Sequence, residues 1–139
     1  MDLNVYANQD WQSFGTVRED GNLYADGLWN FNKDDRGRKC GANGNNSSGR
    51  YYVMNADPSC PFPSGRMGQL VMRSGNTVTG YENYFSLKAG QIFELRINDG
   101  GLNDNEGSLL LRFVPSSVSK EIKDRVNPDR EPGHYWINA

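Results

Sequence analysis

The sequence is poor in the residues that most site chemistries require. It holds one histidine, His134, and two cysteines, Cys40 and Cys60, in 139 residues. A structural zinc centre takes about four nitrogen or sulfur ligands, so none is expected. A Ser-His-Asp site would depend on His134, far out in the C-terminal tail, and is not expected either. There is no P-loop, no G-x-G-x-x-G after a strand, no H-E-x-x-H and no C-x-x-C. Charge of one sign is also lacking. The net charge is −2 with no long run, which is not the footprint of a nucleic-acid binder. The trio Arg36, Arg38 and Lys39 reads as a solvated loop. No window reaches the ~18 apolar residues of a membrane span. Residues 1–5, MDLNV, lack the basic start and apolar centre of a signal peptide. The chain is then expected to work outside the cell or at its surface, by another export route or as a domain excised from a longer protein.

What the sequence does have is glycine, 16 residues of it, with abundant Asn, Asp and Ser. That composition favours short strands joined by polar turns over helices. The clearest strand is 92–97, where Phe93, Leu95 and Ile97 share one face and Glu94 and Arg96 the other. Residues 108–114 repeat the pattern with Leu109, Leu111 and Phe113, and the two runs are expected to be neighbouring antiparallel strands. Further strands are predicted at 4–7, 16–17, 23–25 (extended by 28–31), 69–73, 77–81 and 84–87, with a turn at Ser74-Gly75-Asn76. Seven or eight short strands with turns between them indicate an all-β fold, an antiparallel β-sandwich over residues 1–115. Residues 116–139 read as a short helix, striped by Val118, Ile122 and Val126 and ended by Pro128, followed by a tail bearing His134, Tyr135 and Trp136. The tail is expected to dock on its own domain or on a partner, which leaves a homo-oligomer open.

Residues 32–65 form a long Gly/Asn/Ser-rich segment, the kind of loop that is functional or disordered. Cys40 and Cys60 flank its centre, and a disulfide bracing it is expected, with two free thiols as the alternative. Asn45-Asn46-Ser47-Ser48 contains glycosylation-type sequons.

The segment 96–108, RINDGGLNDNEGS, crowds carboxylates and carboxamides between two apolar runs. Such groups, with backbone carbonyls, are the hard oxygen ligands of Ca²⁺, which takes six to eight of them. Asp99, Asp104 and Asn105 can supply several at once, and Gly100 and Gly101 let the backbone curl inward. The spacing is not that of an EF-hand. A solvated turn held by Asx hydrogen bonds is the plainer alternative.

Trp29, the run Met67-Gly68-Gln69-Leu70-Val71-Met72-Arg73, and Ile97-Asn98-Asp99 leading to Asp104-Asn105-Glu106-Gly107-Ser108 occur in one order. Together they resemble the bacterial galactophilic lectin family (PA-IL-like) over roughly residues 4 to 114. The resemblance implies a small sandwich, jelly-roll-like and galactose-binding-domain-like, in which one Ca²⁺ bridges protein and two sugar hydroxyls. By position it implies side-chain ligands at Asp99, Asp104 and Asn105 and backbone carbonyls from Asn32 and Leu102. The sugar would be met by Asn32, Asp99, Gly100 and Asp104, with Asn55 and Asp57 as further contacts. The loop is about two residues shorter than in well-known members. The stretch 52–66 lacks the His and Gln that the family's galactose binders use, so galactose is less well supported than calcium and another glycan stays open. Arg66 is a further candidate replacement, and Phe62 or Tyr51 could stack on a sugar face.

Two rivals follow from the same residues. Asp99 and Asp104 could be a glycosidase pair, about 5–10 Å apart, but carboxylates neutralised by a metal make poor acids, so no enzyme is expected. Alternatively, calcium only stiffens the loops of a structural or adhesion module that binds no sugar.

Overall fold

In the computed structural model, the described residues are 3–34, 39–44, 54–117 and the backbone of 136–137. Arg36, Arg38, the sequons at 45–48, Tyr51, the helix stripe Val118, Ile122 and Val126, and the tail residues His134 and Tyr135 lie outside them. The named elements are all strands: β1 (Asn4–Tyr6), β2 (Gln12–Val17), β3 (Gly21–Asp26), β4 (Trp29–Asn30), β5 (Lys39–Cys40), β6 (Leu70–Ser74), β7 (Thr77–Gly80), β8 (Phe85–Leu87), β9 (Ile92–Ile97), β10 (Glu106–Pro115) and β11 (Trp136–Ile137). Among the described residues no helix is long and apolar enough to cross a membrane.

Period-two alternation gives each long strand one apolar face, and two sheets bury those faces against each other. One sheet runs β5-β4-β10-β3-β8 with β1 also on β10; the other runs β11-β2-β9-β6-β7. Every pairing is antiparallel. Val5, Leu23, Leu109, Leu111 and Phe113 from the first sheet and Val17, Leu70, Phe93, Leu95 and Ile97 from the second belong to one buried cluster, a sandwich-like arrangement. The β6–β7 turn falls at Gly75-Asn76 as expected, with Ser74 opposite Thr77 and Gly75 at φ +60°. From the tail, β11 adds to the edge of the second sheet, with Trp136 opposite Val17.

Two expectations are corrected. First, β9 and β10 are not neighbours: β9 pairs with β2 and β6, whereas β10 pairs with β1, β3 and β4. The acidic segment is therefore a crossover between the sheets and not a hairpin loop. Second, Cys40 and Cys60 are free, buried thiols, so the bracing disulfide is absent. Cys40 lies on β5 and its Sγ donates to the carbonyl of Gly68 (3.5 Å), while Cys60 Sγ rests on Met67 Sδ at 3.9 Å. The two sulfurs are thus taken up by different packing partners. Burial pushes the Cys40 thiol up to about 12 and raises that of Cys60 as well.

The loop between β5 and β6 is tied to this frame through Gly68. Trp29 Nε1 donates to the Gly68 carbonyl at 2.7 Å, and Gly68 has φ +84°. A Cβ there would stand 2.5 Å from Cys40 Sγ and 2.6 Å from Phe31 Cδ1. Gly68→Ala is expected to cost about 2–4 kcal/mol from backbone strain and overpacking, measured as a fall in the urea midpoint. A thiol reagent at neutral pH should label neither cysteine in the native protein and both in denaturant.

Candidate metal centre

The crossover begins where β9 runs out of partners. Asn98 is fully buried and continues the ladder by one step, its N–H donating to Gln69 (2.8 Å) and its carbonyl accepting from Gly68 (3.0 Å). Its carboxamide then clamps the preceding loop: Oδ1 accepts from Phe62 N (2.9 Å), and Nδ2 donates to the carbonyls of Phe62 (2.9 Å) and Arg66 (3.0 Å). The motif reading singled out Asp99 and passed over this neighbour, because an Asn that serves backbone far away in sequence carries no local signature.

The clamped loop forms one wall of the site. Asp57 nucleates its turn, accepting from Ser59 N (2.9 Å) and from the Ser59 hydroxyl, bonds that hold its carboxyl below the usual range. Ser59 packs so closely on Gly100 that a Cβ there would sit 2.1 Å from Ser59 Oγ. Asp57 is thereby brought beside the crossover. Asn55 is exposed and bridges to Arg66 at the base of the same loop. On the opposite side, Asn32 follows β4. Its N–H donates to Asn30 Oδ1 (2.7 Å), and the next N–H, from Lys33, donates to the Asp104 carbonyl at 2.6 Å. Leu102 leans on the core, and its carbonyl accepts from Asn105 N at 3.2 Å.

Besides Asn98, two further side chains of the crossover are buried: Asp99, at 9% exposure, and Asn105, at 4%. Asp99 Oδ1 accepts from Gly101 N (3.3 Å), and Asn105 Nδ2 donates to the Ala7 carbonyl (2.9 Å). The other oxygen of each, Asp99 Oδ2 and Asn105 Oδ1, is buried with no hydrogen-bond partner. A buried acceptor without a donor costs about 1–3 kcal/mol, and more when charged. Burial raises the Asp99 carboxyl above 3.8 and the charge of Asp104 adds to this, while Gly101, Asn105 and Arg96 pull the other way. Neither acceptor has a hydrogen-bond donor, and a cation beside either oxygen would satisfy it.

The donor set fits a hard divalent ion. Asp99 and Asp104 carry carboxylates, Asn105 a carboxamide, and Asn32 and Leu102 offer backbone carbonyls, all oxygen donors of the kind such an ion takes. Among the described residues no three His, Cys, Asp or Glu side chains group as a metal cluster, so amide and carbonyl oxygens would have to complete the coordination. Cys60 stays a protonated thiol because burial, reinforced by the charges of Asp57 and Asp99, raises its pKa, which removes a soft ligand from competition. A depression of about 310 Å³ lined by Leu28, Trp29, Asn30, Lys39, Glu106 and Gly107 opens beside β4. Its lining contains none of Asp99, Asp104 and Asn105, whose oxygens belong to the crossover itself.

Because the folded pKa of Asp99 is raised, the metal-free protein loses stability as pH rises from 3.8 through that pKa. Metal uptake through Asp99 would have the opposite dependence, weakening as pH falls through the same range and Asp99 takes up a proton. Asp99→Asn would remove the buried charge that desolvation penalises at this position. We expect the metal-free variant to gain about 1–2 kcal/mol at neutral pH and to lose the melting-temperature rise that about 1 mM Ca²⁺ gives the unaltered chain; calorimetry with and without calcium reads both. No protein-family model matches this chain, and no curated protein matches it.

Proposed function

We propose that the protein is a calcium-dependent carbohydrate-binding domain, a lectin or carbohydrate-binding module of jelly-roll-like, galactose-binding-domain-like architecture, acting at or outside the cell surface. The resemblance of its crossover motif to the bacterial galactophilic lectins suggests the class. The observation that carries the reading is the pair of buried, unpartnered oxygens on Asp99 and Asn105. Asn32, Asp99, Leu102, Asp104 and Asn105 would hold Ca²⁺, which would supply further positions for oxygen ligands. A vicinal diol of a sugar would offer two oxygen ligands to such an ion. Asp99 and Asp104 would both hold the ion and accept hydrogen bonds from the sugar hydroxyls, with Asn32 and the Gly100 backbone alongside.

Discrimination among glycans falls to the wall built on Asn98. Asp57 is its best-placed carboxylate, since Ser59 seats that turn on Gly100. Asn55 reaches the sugar only if the glycan extends toward Arg66. One diol and a few polar contacts give modest single-site affinity, so attachment to a glycan surface relies on several copies acting together.

The test is a glycan array probed with calcium and again with chelator, alongside Asp104→Ala. Glycan signals that vanish with chelator and in the variant are the expected result. A calcium-raised melting temperature with a silent array would instead leave a structural module that uses the metal only to stiffen its loops.

A further inference from the structure

Arg96 sits on the outward face of β9, where alternation with Glu94 calls for a solvated side chain, yet it is 8% exposed. The turn after β1 covers it. Arg96 Nη1 pairs with Asp10 Oδ1 at 2.6 Å, and its guanidinium lies 5.7 Å from the Trp11 ring, which also carries Arg73 at 4.5 Å. The remaining nitrogens turn toward the crossover: Nε donates to the Ile97 carbonyl (3.0 Å) and Nη2 to the Asp99 carbonyl (2.5 Å).

The same turn grips the other end of the crossover. Ala7 N donates to the Gly107 carbonyl (3.0 Å), and the Ala7 carbonyl accepts from Asn105 Nδ2 (2.9 Å). A carboxamide has one donor end and one acceptor end. By taking the NH₂ group, Ala7 fixes Asn105 with its oxygen turned away, and that oxygen is the unpartnered one. Arg96 meanwhile fixes the backbone from which the Asp99 carboxylate projects, its own charge spent on Asp10 and on carbonyl oxygens.

From these contacts we infer that the Ala7–Trp11 turn is the orienting shell of the metal centre, with Arg96 the positioning residue for Asp99 and the Ala7 carbonyl that for Asn105. The inference rests on the calcium reading above. Groups that orient metal ligands without touching the ion carry about tenfold or more in affinity. An exposed ion pair with no such duty is worth little, and Asp10 is 71% exposed at its side chain.

The experiment is a calorimetric titration with Ca²⁺ alone on the unaltered chain, Asp10→Ala, Asp10→Glu and Arg96→Lys, with melting temperatures of each metal-free form. We expect about tenfold weaker calcium binding in Asp10→Ala and Arg96→Lys, with recovery in Asp10→Glu and little change in metal-free melting for Asp10→Ala. The Trp11 indole N–H resonance, assigned with Trp11→Phe, should shift along the calcium titration of the unaltered chain and with its midpoint. Unchanged calcium affinity in both variants, whatever happens to their melting temperatures, overturns the inference while leaving the metal site standing. No calcium uptake by the unaltered chain overturns the metal site and the inference together.

Discussion

A buried oxygen that accepts hydrogen bonds must meet a donor or a positive charge, and the crossover from β9 to β10 is where this protein meets that demand with most difficulty. The two strands lie in different sheets, so the chain between them traverses the end of the sandwich where no ladder supplies partners. Side chains do the work that a neighbouring strand does elsewhere. Asn98 serves the loop at Phe62 and Arg66, and Asn105 serves Ala7. After those bonds are made, one oxygen each on Asp99 and Asn105 is left facing inward without a donor.

The frame around those oxygens is stiff for identifiable reasons. Trp29 and Cys40 both donate to the carbonyl of Gly68, whose neighbour Gln69 accepts from Arg66 N and donates to the Tyr81 carbonyl. That knot ties the first sheet to the second beneath the clamped loop. Ser59 against Gly100 then joins the loop to the crossover with no room for a side chain between them. Groups held on such a frame would lose little freedom on binding a partner, unlike those of a floppy loop of the same composition.

Charge is arranged to suit. Arg96 is the buried cation nearest the crossover, but its nitrogens are turned onto carbonyl oxygens and Asp10. It holds the backbone without forming an ion pair with either Asp99 or Asp104. Burial and the nearby charge of Asp104 both raise the pKa of the Asp99 carboxyl.

Much of this was legible in the order of residues alone. Alternation marked the buried face of β9 and of β10, Gly75-Asn76 marked a hairpin, and the density of Asp and Asn marked a loop built from oxygen donors. The all-β class followed from those local signals. Other properties were decided only by the folded chain. Alternation tells which face of a strand is buried but not which strand lies beside it, so β9 and β10 look like partners until the two sheets separate them. Spacing cannot say whether two cysteines meet, and here each sulfur packs elsewhere. The burial of Arg96, the clamp of Asn98 and the orientation of Asn105 all depend on backbone groups many residues away, brought close by packing. A local pattern reports on neighbours along the chain, whereas a binding geometry is made by neighbours across it.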